Sequence, residues 1–347
     1  MHAVAPAAML AAKPHPVVLW HGLGDSAYSY WLINMKQRLE RTYPGIFVYI
    51  VSLGSSYYKD QGATLFGDVN AQVAYMYETL QFVPELQDGF DAIGFSQGGQ
   101  FLRAYVERYN VPRVRNLITF GSQHMGITEL SVCHRYDYFC RYVHHLLDGQ
   151  VYSNYSQTHL VPAQYFRDTR SVEQFALYNQ ANQFLHDINN EGTVKNETYA
   201  ANLAGLETFA MVQFTHEETV VPSASSWFEA YNDPCKKECD AEIVPLRASA
   251  IYREDWIGLG ALDRRGALAF LTCDGRHMEI TPECAKATLG TYIGRPLLGA
   301  WDAAVDLNVH SNPVQRAVSP FLLALCALVL CMGIFVLRRK KPSLAAL

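Results

Sequence analysis

Residues 94–98 read Gly-Phe-Ser-Gln-Gly, the spacing G-x-S-x-G that can present a serine as a nucleophile. An apolar run over 90–95 leads into this motif and a helical pattern over 98–109 leads out of it, which predicts a sharp turn between a strand and a helix. The glycines let neighbouring backbone approach closely while the turn holds the serine in a strained conformation. We therefore predict that Ser96 attacks a carbonyl carbon.

A serine hydroxyl needs a base to take its proton, and a third group usually orients that base. In hydrolases with this motif the chain order is serine, acid, histidine, with the histidine after the last strand. His277 follows the last predicted strand, over 267–272, whereas His124 comes too early and His216 precedes the expected position of the acid. We therefore predict His277 as the base.

The acid should lie on the loop after the strand predicted over 208–214. That loop offers two adjacent carboxylates, Glu217 and Glu218, and no aspartate. A glutamate can replace the aspartate if the backbone is set back to accommodate one more methylene. The residues themselves leave the choice between the two glutamates open.

The tetrahedral intermediate of acyl transfer carries a negative oxygen that needs hydrogen-bond donors. One donor should be the backbone N–H of Gln97, directly after the nucleophile, and the other should be that of Leu23, on the loop after the first strand. His21 stands beside this loop, but no second residue has the spacing of a metal ligand. We expect neither a metal nor a cofactor.

Strand-like and helix-like segments alternate around these candidates. The predicted strands cover 17–20, 46–51, 90–95, 117–120, 208–214 and 267–272, and the predicted helices cover 31–41, 71–82, 98–109, 172–185, 224–231 and 282–293. Such alternation predicts a mostly parallel central sheet with crossover helices. Together with the serine motif, it predicts the α/β-hydrolase fold.

The alternation breaks over about 125–204, a polar, aromatic and cysteine-containing stretch. We predict a cap insertion here, over the carboxyl edge of the sheet. The insertion would belong to one α/β-hydrolase domain over residues 13–293, and the whole chain of 347 residues is long enough for such a domain with a buried core.

Half of the residues are apolar and 18% are charged, with a formal net charge of −5. This is the composition of a globular protein rather than a disordered one. A nucleic-acid-binding protein would usually show a basic excess or a basic stripe, so we expect no nucleic-acid partner.

Cysteines and sequons indicate the compartment. Outside a hydrophobic tail, six cysteines form pairs that are adjacent in sequence: Cys133 with Cys140, Cys235 with Cys239, and Cys273 with Cys284. Three local disulfides in an oxidising compartment would explain this pattern, but six cysteines permit fifteen pairings, and free cytosolic thiols are the alternative. Sequons at Asn154 and Asn196 predict glycosylation and favour the secretory pathway.

The C-terminal part of the chain has the pattern of a membrane anchor. No charged residue occurs over 317–337, and these 21 residues would span about 31 Å as a helix. Four basic residues follow at once, so the tail over 338–347 should be cytoplasmic and the catalytic part lumenal. We predict a transmembrane helix over 317–337 on a stalk over 294–316, with a buried terminal helix or a cleaved anchor signal as the alternatives. The apolar stretch 1–12 resembles part of a signal segment.

Longer stretches resemble the palmitoyl-protein thioesterases, lysosomal α/β-hydrolases that remove fatty acyl groups from the cysteines of lipidated proteins. These stretches are VVLWHGLGDS (17–26), IGFSQGGQFLRAYVERY (93–109), NLITFGSQHMGI (116–127), FLHDINNE (184–191), VKNETYAANLAGLETFAMVQF (194–214), VVPSASSWFEAY (220–231) and GRHMEI (275–280). The resemblance covers nearly the whole predicted lumenal part.

The resemblance implies roles for individual residues. It assigns the nucleophile to Ser96 and the histidine to His277. The family's aspartate lies five residues before the proline that is Pro222 here, which selects Glu217 and marks a departure from the family. The resemblance also implies that the first cysteine pair, 133 with 140, is a disulfide of the cap. The other two pairs and the hydrophobic tail are not part of the family pattern.

The function implied by the resemblance is hydrolysis of long-chain acyl thioesters, with S-acylated proteins or peptides as substrates. The protein would then reside in the lysosome, the vacuole or another lumen of the secretory pathway, and would contact the membrane through its C-terminal helix. A lumenal lipid oxygen-esterase or an acyl-CoA thioesterase would use the same triad. A non-catalytic lipid-binding protein is a further alternative, because the family's aspartate is missing.

Overall fold

The computed structural model describes residues 14–129, 150–232 and 242–293. Its strands are β1 (Val17–Trp20), β2 (Val48–Ile50), β3 (Phe90–Phe95), β4 (Val114–Phe120), β5 (Thr208–His216), β6 (Ala230–Tyr231), β7 (Ile243–Val244) and β8 (Leu268–Arg276). Six of them form one parallel sheet in the order β2-β1-β3-β4-β5-β8, and β6 pairs with β7 in an antiparallel ribbon. The prediction of a mostly parallel central sheet is confirmed.

Helices connect the parallel strands. They are α1 (Tyr30–Thr42), α2 (Tyr57–Ala63), α3 (Val69–Leu80), α4 (Gln97–Arg108), α5 (Asn154–His159), α6 (Val172–Ala181), α7 (Leu185–Ile188), α8 (Glu197–Ala204), α9 (Ala250–Arg253), α10 (Leu259–Arg264) and α11 (Pro282–Tyr292). Side-chain caps explain where several of them begin. Asp68 accepts a hydrogen bond from the N–H of Asn70, so α3 begins at Val69 rather than at the predicted residue 71.

The centre of the sheet is buried on both faces. Every residue of β1 and of β3 is buried, which is typical of central parallel strands covered by helices on two sides. Helix α4 is also buried along almost its whole length. Its Phe101 ring meets the Trp20 ring edge-on, with centroids 5.4 Å apart. The helix that follows the serine motif is therefore part of the core, and this fixes its direction.

The prediction of a helix over 224–231 is wrong. The structure has a short 3-10 helix, Ser223–Trp227, followed by the strand β6. Phe228 ends the 3-10 helix because its φ of 61° lies in the left-handed region. Its fully buried ring stacks on the imidazole of His124 at 4.6 Å, and this packing stabilises a backbone conformation that the sequence pattern did not indicate.

In the described part of the stretch predicted as a cap, the regular elements are helices, joined by loops and isolated β-bridges. Helices α5 to α8 and the 3-10 helix Val161–Tyr165 lie between β4 and β5. The single helix predicted over 172–185 is divided into α6 and α7, because Asn182 ends α6 in an extended conformation. The boundaries of the cap at about 125 and 204 stay a prediction.

Several predictions lie outside the described residues. They are the signal-like stretch 1–12, the stalk 294–316, the transmembrane helix 317–337, the tail 338–347, and the pairs Cys133 with Cys140 and Cys235 with Cys239. Within residues 14–129, 150–232 and 242–293, no helix is both long and apolar enough to cross a bilayer.

Candidate active site

The serine of the G-x-S-x-G motif stands at the junction of β3 and α4. Ser96 has φ 53° and ψ −123°, a conformation that L-residues rarely adopt. Two glycines make the turn possible. A Cβ on Gly94 would lie 2.1 Å from the Cα of Gly99, and one on Gly98 would meet the carbonyl oxygen of the last residue of β1 at 2.3 Å. The motif forms a tight elbow that places the serine at the carboxyl edge of the sheet, with 9% of its surface exposed.

Three side chains from three separate loops form a continuous chain of contacts. His277 Nε2 lies 3.1 Å from Ser96 Oγ, and His277 Nδ1 lies 2.6 Å from Glu217 Oε2. A carboxylate that accepts from Nδ1 holds the histidine in the tautomer whose Nε2 can take the serine proton. The structure therefore brings together the three residues that the sequence and the family resemblance indicated. Their catalytic roles stay a prediction.

Only one of the two adjacent glutamates reaches the histidine. The side chain of Glu217 has no exposed surface, whereas Glu218 is exposed. The second carboxylate oxygen of Glu217 accepts hydrogen bonds from the N–H groups of Thr219, at 2.8 Å, and Val220, at 3.0 Å. These bonds hold the carboxylate on its own loop, with one oxygen left for the histidine.

His277 is held from several directions. It follows β8 directly and packs against Gly121, where a Cβ would lie 3.0 Å from the ring, and against the edge of Phe214. A disulfide joins Cys273 on β8 to Cys284 on α11 and so closes the segment that carries the histidine. This is the pairing predicted from sequence adjacency. His277 keeps 14% of its side chain exposed.

The two competing histidines have other environments. His124 is fully buried, with Nε2 3.1 Å from Thr119 Oγ1. Burial, and then the positive charge of Arg103, hold the pKa of His124 well below its usual value. His216 is exposed and lies 3.6 Å from Asp274. Neither contacts the serine.

The loop after β1 passes beside the nucleophile. A Cβ on Gly22 would lie 3.0 Å from the Cβ of Ser96 and 3.7 Å from its Oγ. The next N–H, that of Leu23, makes no hydrogen bond within the described part of the chain. Gln97 is the first residue of α4, and the first N–H groups of a helix have no acceptor inside it. Neither predicted donor is bonded to a backbone acceptor among the residues that the structure describes, and their role in an oxyanion hole stays a prediction.

The structure has a buried ion pair beside this loop that the sequence analysis did not predict. His21 Nε2 lies 3.1 Å from Oδ2 of Asp60, and neither side chain has exposed surface. The sequence suggested His21 only as an isolated candidate metal ligand. Asp60 lies on α2, and no spacing rule connects a histidine after the first strand with an aspartate in the second helix. Only the fold reveals the contact.

A cavity of about 650 Å³ lies elsewhere in the molecule. Its lining includes Phe175 of α6, His186 of α7, and the side chains of Phe228 and Trp256. Ser96, Glu217 and His277 are not among the residues that line it. The cavity is therefore distinct from the contact chain at the elbow.

A known protein family matches this chain over most of the sheet and helices described above. A family model described as palmitoyl protein thioesterase matches residues 16–277. The chain belongs to the palmitoyl-protein thioesterase family. The match begins directly before β1 and ends at His277, so it includes all three members of the contact chain.

Individual relatives match over most of their length. Palmitoyl-protein thioesterase 1 of Caenorhabditis elegans is 38% identical over 271 residues, which are 78% of this chain and 88% of that protein. Palmitoyl-protein thioesterase 3 of Dictyostelium discoideum is 32% identical over 276 residues, 80% of this chain and 89% of that protein. A lysosomal thioesterase PPT2 homolog of Drosophila melanogaster is 25% identical over 256 residues, 73% of this chain and 82% of that protein.

Proposed function

We propose that this protein hydrolyses long-chain acyl thioesters and releases a fatty acid, such as palmitate, from the cysteines of S-acylated proteins. The observation that carries the proposal is the contact chain from Ser96 through His277 to Glu217. Two relatives bear the name palmitoyl-protein thioesterase, which supports a palmitoyl thioester as the substrate.

Acylation of the enzyme uses this contact chain directly. His277 Nε2 accepts the proton of Ser96 as Oγ attacks the thioester carbonyl carbon. Glu217 orients the ring and stabilises the imidazolium. The backbone N–H groups of Leu23 and Gln97 donate to the oxyanion. The carbon–sulfur bond then breaks, and the departing cysteine takes the proton from His277 and leaves as a thiol.

Deacylation repeats these steps with water. His277 accepts a proton from a water molecule, whose oxygen attacks the carbonyl carbon of the acyl-serine. The same two N–H groups stabilise the second oxyanion. Breakdown of this intermediate returns the proton from His277 to Ser96 Oγ and releases the fatty acid.

The proposed location is the lumen of the lysosome, the vacuole or another secretory compartment. The disulfide between Cys273 and Cys284 fits an oxidising compartment, and both Asn154 and Asn196 are exposed, as glycosylation requires. The name of the Drosophila relative supports a lysosomal location. We further propose that residues 317–337 anchor the chain in the membrane, with the catalytic domain in the lumen.

Truncation tests the anchor. A chain that ends after Gln315 should be recovered in the soluble fraction and keep full thioesterase activity, while the full-length chain should require detergent. Fractionation of membranes, followed by an assay of both fractions, measures this. Equal recovery of both chains in the soluble fraction would refute the anchor.

Substitution of the nucleophile tests the reaction. Ser96→Ala should fold normally and lose activity by up to about 10⁶-fold, because nucleophile and base act as a unit. A fluorophosphonate probe should label the wild-type protein at Ser96 and leave the variant unlabelled. The same preparations should be assayed on palmitoyl thioesters, acyl-CoA and oxygen esters of graded chain length. A wild-type protein that hydrolyses oxygen esters but not thioesters would refute the proposed substrate.

A further inference from the structure

The buried pair of His21 and Asp60 lies behind the loop that passes the nucleophile. The Asp60 carboxylate does more than face the imidazole. It accepts hydrogen bonds from Ser26 Oγ at 3.0 Å, from the Ala27 N–H at 2.7 Å and from the Leu53 N–H at 2.6 Å. It thereby ties α2 to the loops that follow both β1 and β2. All of these partners belong to the carboxyl edge of the sheet, where Ser96 stands.

The other ring nitrogen of His21 contacts a peptide group that bears on catalysis. His21 Nδ1 lies 3.2 Å from the carbonyl oxygen of Gly22. This carbonyl and the N–H of Leu23 belong to the same peptide group. Because the peptide group is planar, fixing its carbonyl also fixes the direction of its N–H. A hydrogen bond to the carbonyl further polarises the group and makes the N–H a stronger donor.

Both ring nitrogens of His21 face acceptors, so only the doubly protonated imidazolium can donate to both. Burial alone would lower the pKa of His21, but the contacts with Asp60 outweigh burial and raise it, and Asp25 acts in the same direction. Burial alone would raise the pKa of Asp60, but its contacts with His21, together with the N–H groups of Ala27 and Leu53, outweigh burial and lower it. The charged pair is therefore the favoured state.

We propose that Asp60 is a positioning residue for acyl transfer: through His21 it orients and polarises the peptide group between Gly22 and Leu23. The Leu23 N–H is thereby held ready to stabilise the oxyanion. The inference rests on the proposed hydrolysis at Ser96 and extends it to a residue that does not touch the substrate. Its effect falls on the transition state and not on binding of the acyl chain.

The variant Asp60→Asn tests this role, because the amide keeps the size of the side chain and removes its charge. The kcat on a palmitoyl thioester should fall about 10- to 100-fold with KM nearly unchanged, less than the 10²- to 10³-fold typical of losing an oxyanion donor outright. Affinity for a palmityl trifluoromethyl ketone, which forms an oxyanion on Ser96, should fall by the same factor. Affinity for an uncleavable palmityl thioether should stay unchanged.

Asp91→Asn is the matched control. Asp91 is also a buried aspartate, but it lies near the start of β3, whereas Ser96 follows the end of that strand. This variant should keep wild-type kcat and wild-type affinity for the ketone. If Asp60→Asn weakens the ketone and the thioether equally, or leaves kcat unchanged, the inference is wrong.

A measurement on the wild-type protein covers the case in which Asp60→Asn fails to fold. Nitrogen-15 NMR at pH 5 should find both ring nitrogens of His21 protonated, and a neutral ring would overturn the inference. Binding of the ketone also distinguishes a failure of this inference from a failure of the proposed thioesterase function. If the wild-type protein binds it at Ser96 and Asp60→Asn weakens that binding, the inference stands even if palmitoyl thioesters prove not to be substrates.

Discussion

At the scale of single residues, the orienting acid is a glutamate held by its own loop. One oxygen of Glu217 accepts from the N–H groups of Thr219 and Val220, and the other faces His277 at 2.6 Å. The longer side chain therefore reaches the histidine, while hydrogen bonds from its own loop hold the carboxylate in place. Substitution of the family's aspartate by glutamate is compatible with this geometry.

We expect Glu217→Gln to lower kcat strongly, by up to about 10⁴-fold, because an amide neither fixes the histidine tautomer nor stabilises the imidazolium. Glu218→Gln should change kcat by less than about twofold, because that side chain is exposed and makes no contact with His277. Rates on a palmitoyl thioester with both single variants measure the difference.

Glu217→Asp is the sharper variant. The loop accommodates the longer side chain, so shortening it by one methylene should separate the carboxylate from His277 and also lower kcat. Wild-type activity in Glu217→Asp would mean that the loop readjusts freely. Full activity in the double variant with both glutamates changed to glutamine would remove Glu217 from the mechanism.

At the scale of elements, the strand β8 and the helix α11 hold His277 between them. The disulfide joins residues separated by 11 positions, and the histidine lies inside the loop that it closes. A cross-link of this length stabilises a fold by roughly 3 kcal/mol in the chain-entropy model. It also limits how far the histidine can move from Ser96.

We expect Cys273→Ser to lower the free energy of unfolding by roughly 3 kcal/mol and to lower kcat more than it raises KM. Chemical denaturation and steady-state kinetics measure the two effects. Cys284→Ser and the double variant should behave alike, because each removes the same bond. A marked difference between the two single variants would show that a lone thiol, and not the lost cross-link, causes the effect.

At the scale of the whole molecule, the two ends of the sheet differ in their buried charges. At the carboxyl end lie the ion pair of His21 and Asp60 and the contacts that run from Ser96 through His277 to Glu217. Near the amino end of β3, Asp91 is buried, with Asn116 Nδ2 donating to it at 2.8 Å. Burial raises the pKa of Asp91 to about 6 in spite of that hydrogen bond. A neutral amide supports the carboxylate less well than a cation would.

The raised pKa of Asp91 makes the fold more stable in acid. The folded state holds this proton more tightly than the unfolded state, whose pKa is near 3.8. The resulting stability is fully present below about pH 3.8 and is lost as the pH rises through 6, by roughly 3 kcal/mol in total. Asp91→Asn should flatten this part of the pH profile and make the protein more stable than wild type at pH 7.

Thermal denaturation between pH 4 and pH 7 measures the effect. Asp88→Asn is the control, since Asp88 is an exposed residue close by in the sequence, and it should leave the profile unchanged. An Asp91→Asn profile with the wild-type slope would contradict the assignment of this pH dependence to Asp91.

The features of this protein that depend on neighbouring residues could be predicted from its sequence alone. The apolar run before the G-x-S-x-G motif and the helix after it specify the elbow of Ser96, because the glycines that the turn needs are its own neighbours. The alternation of strands and helices predicted the parallel sheet. The order of loops then placed His277 at the same edge, since parallel strands all end on one side.

Tertiary structure decided the contacts between residues that are distant in sequence. The residues alone left Glu217 and Glu218 open, and the choice depends on which carboxylate the loop turns inward. The sequence did not predict the ion pair of His21 and Asp60. It predicted a helix at Phe228, where the structure has a residue in the left-handed conformation. In each case the outcome depends on what packs against the residue from another part of the chain, which spacing within one segment does not encode.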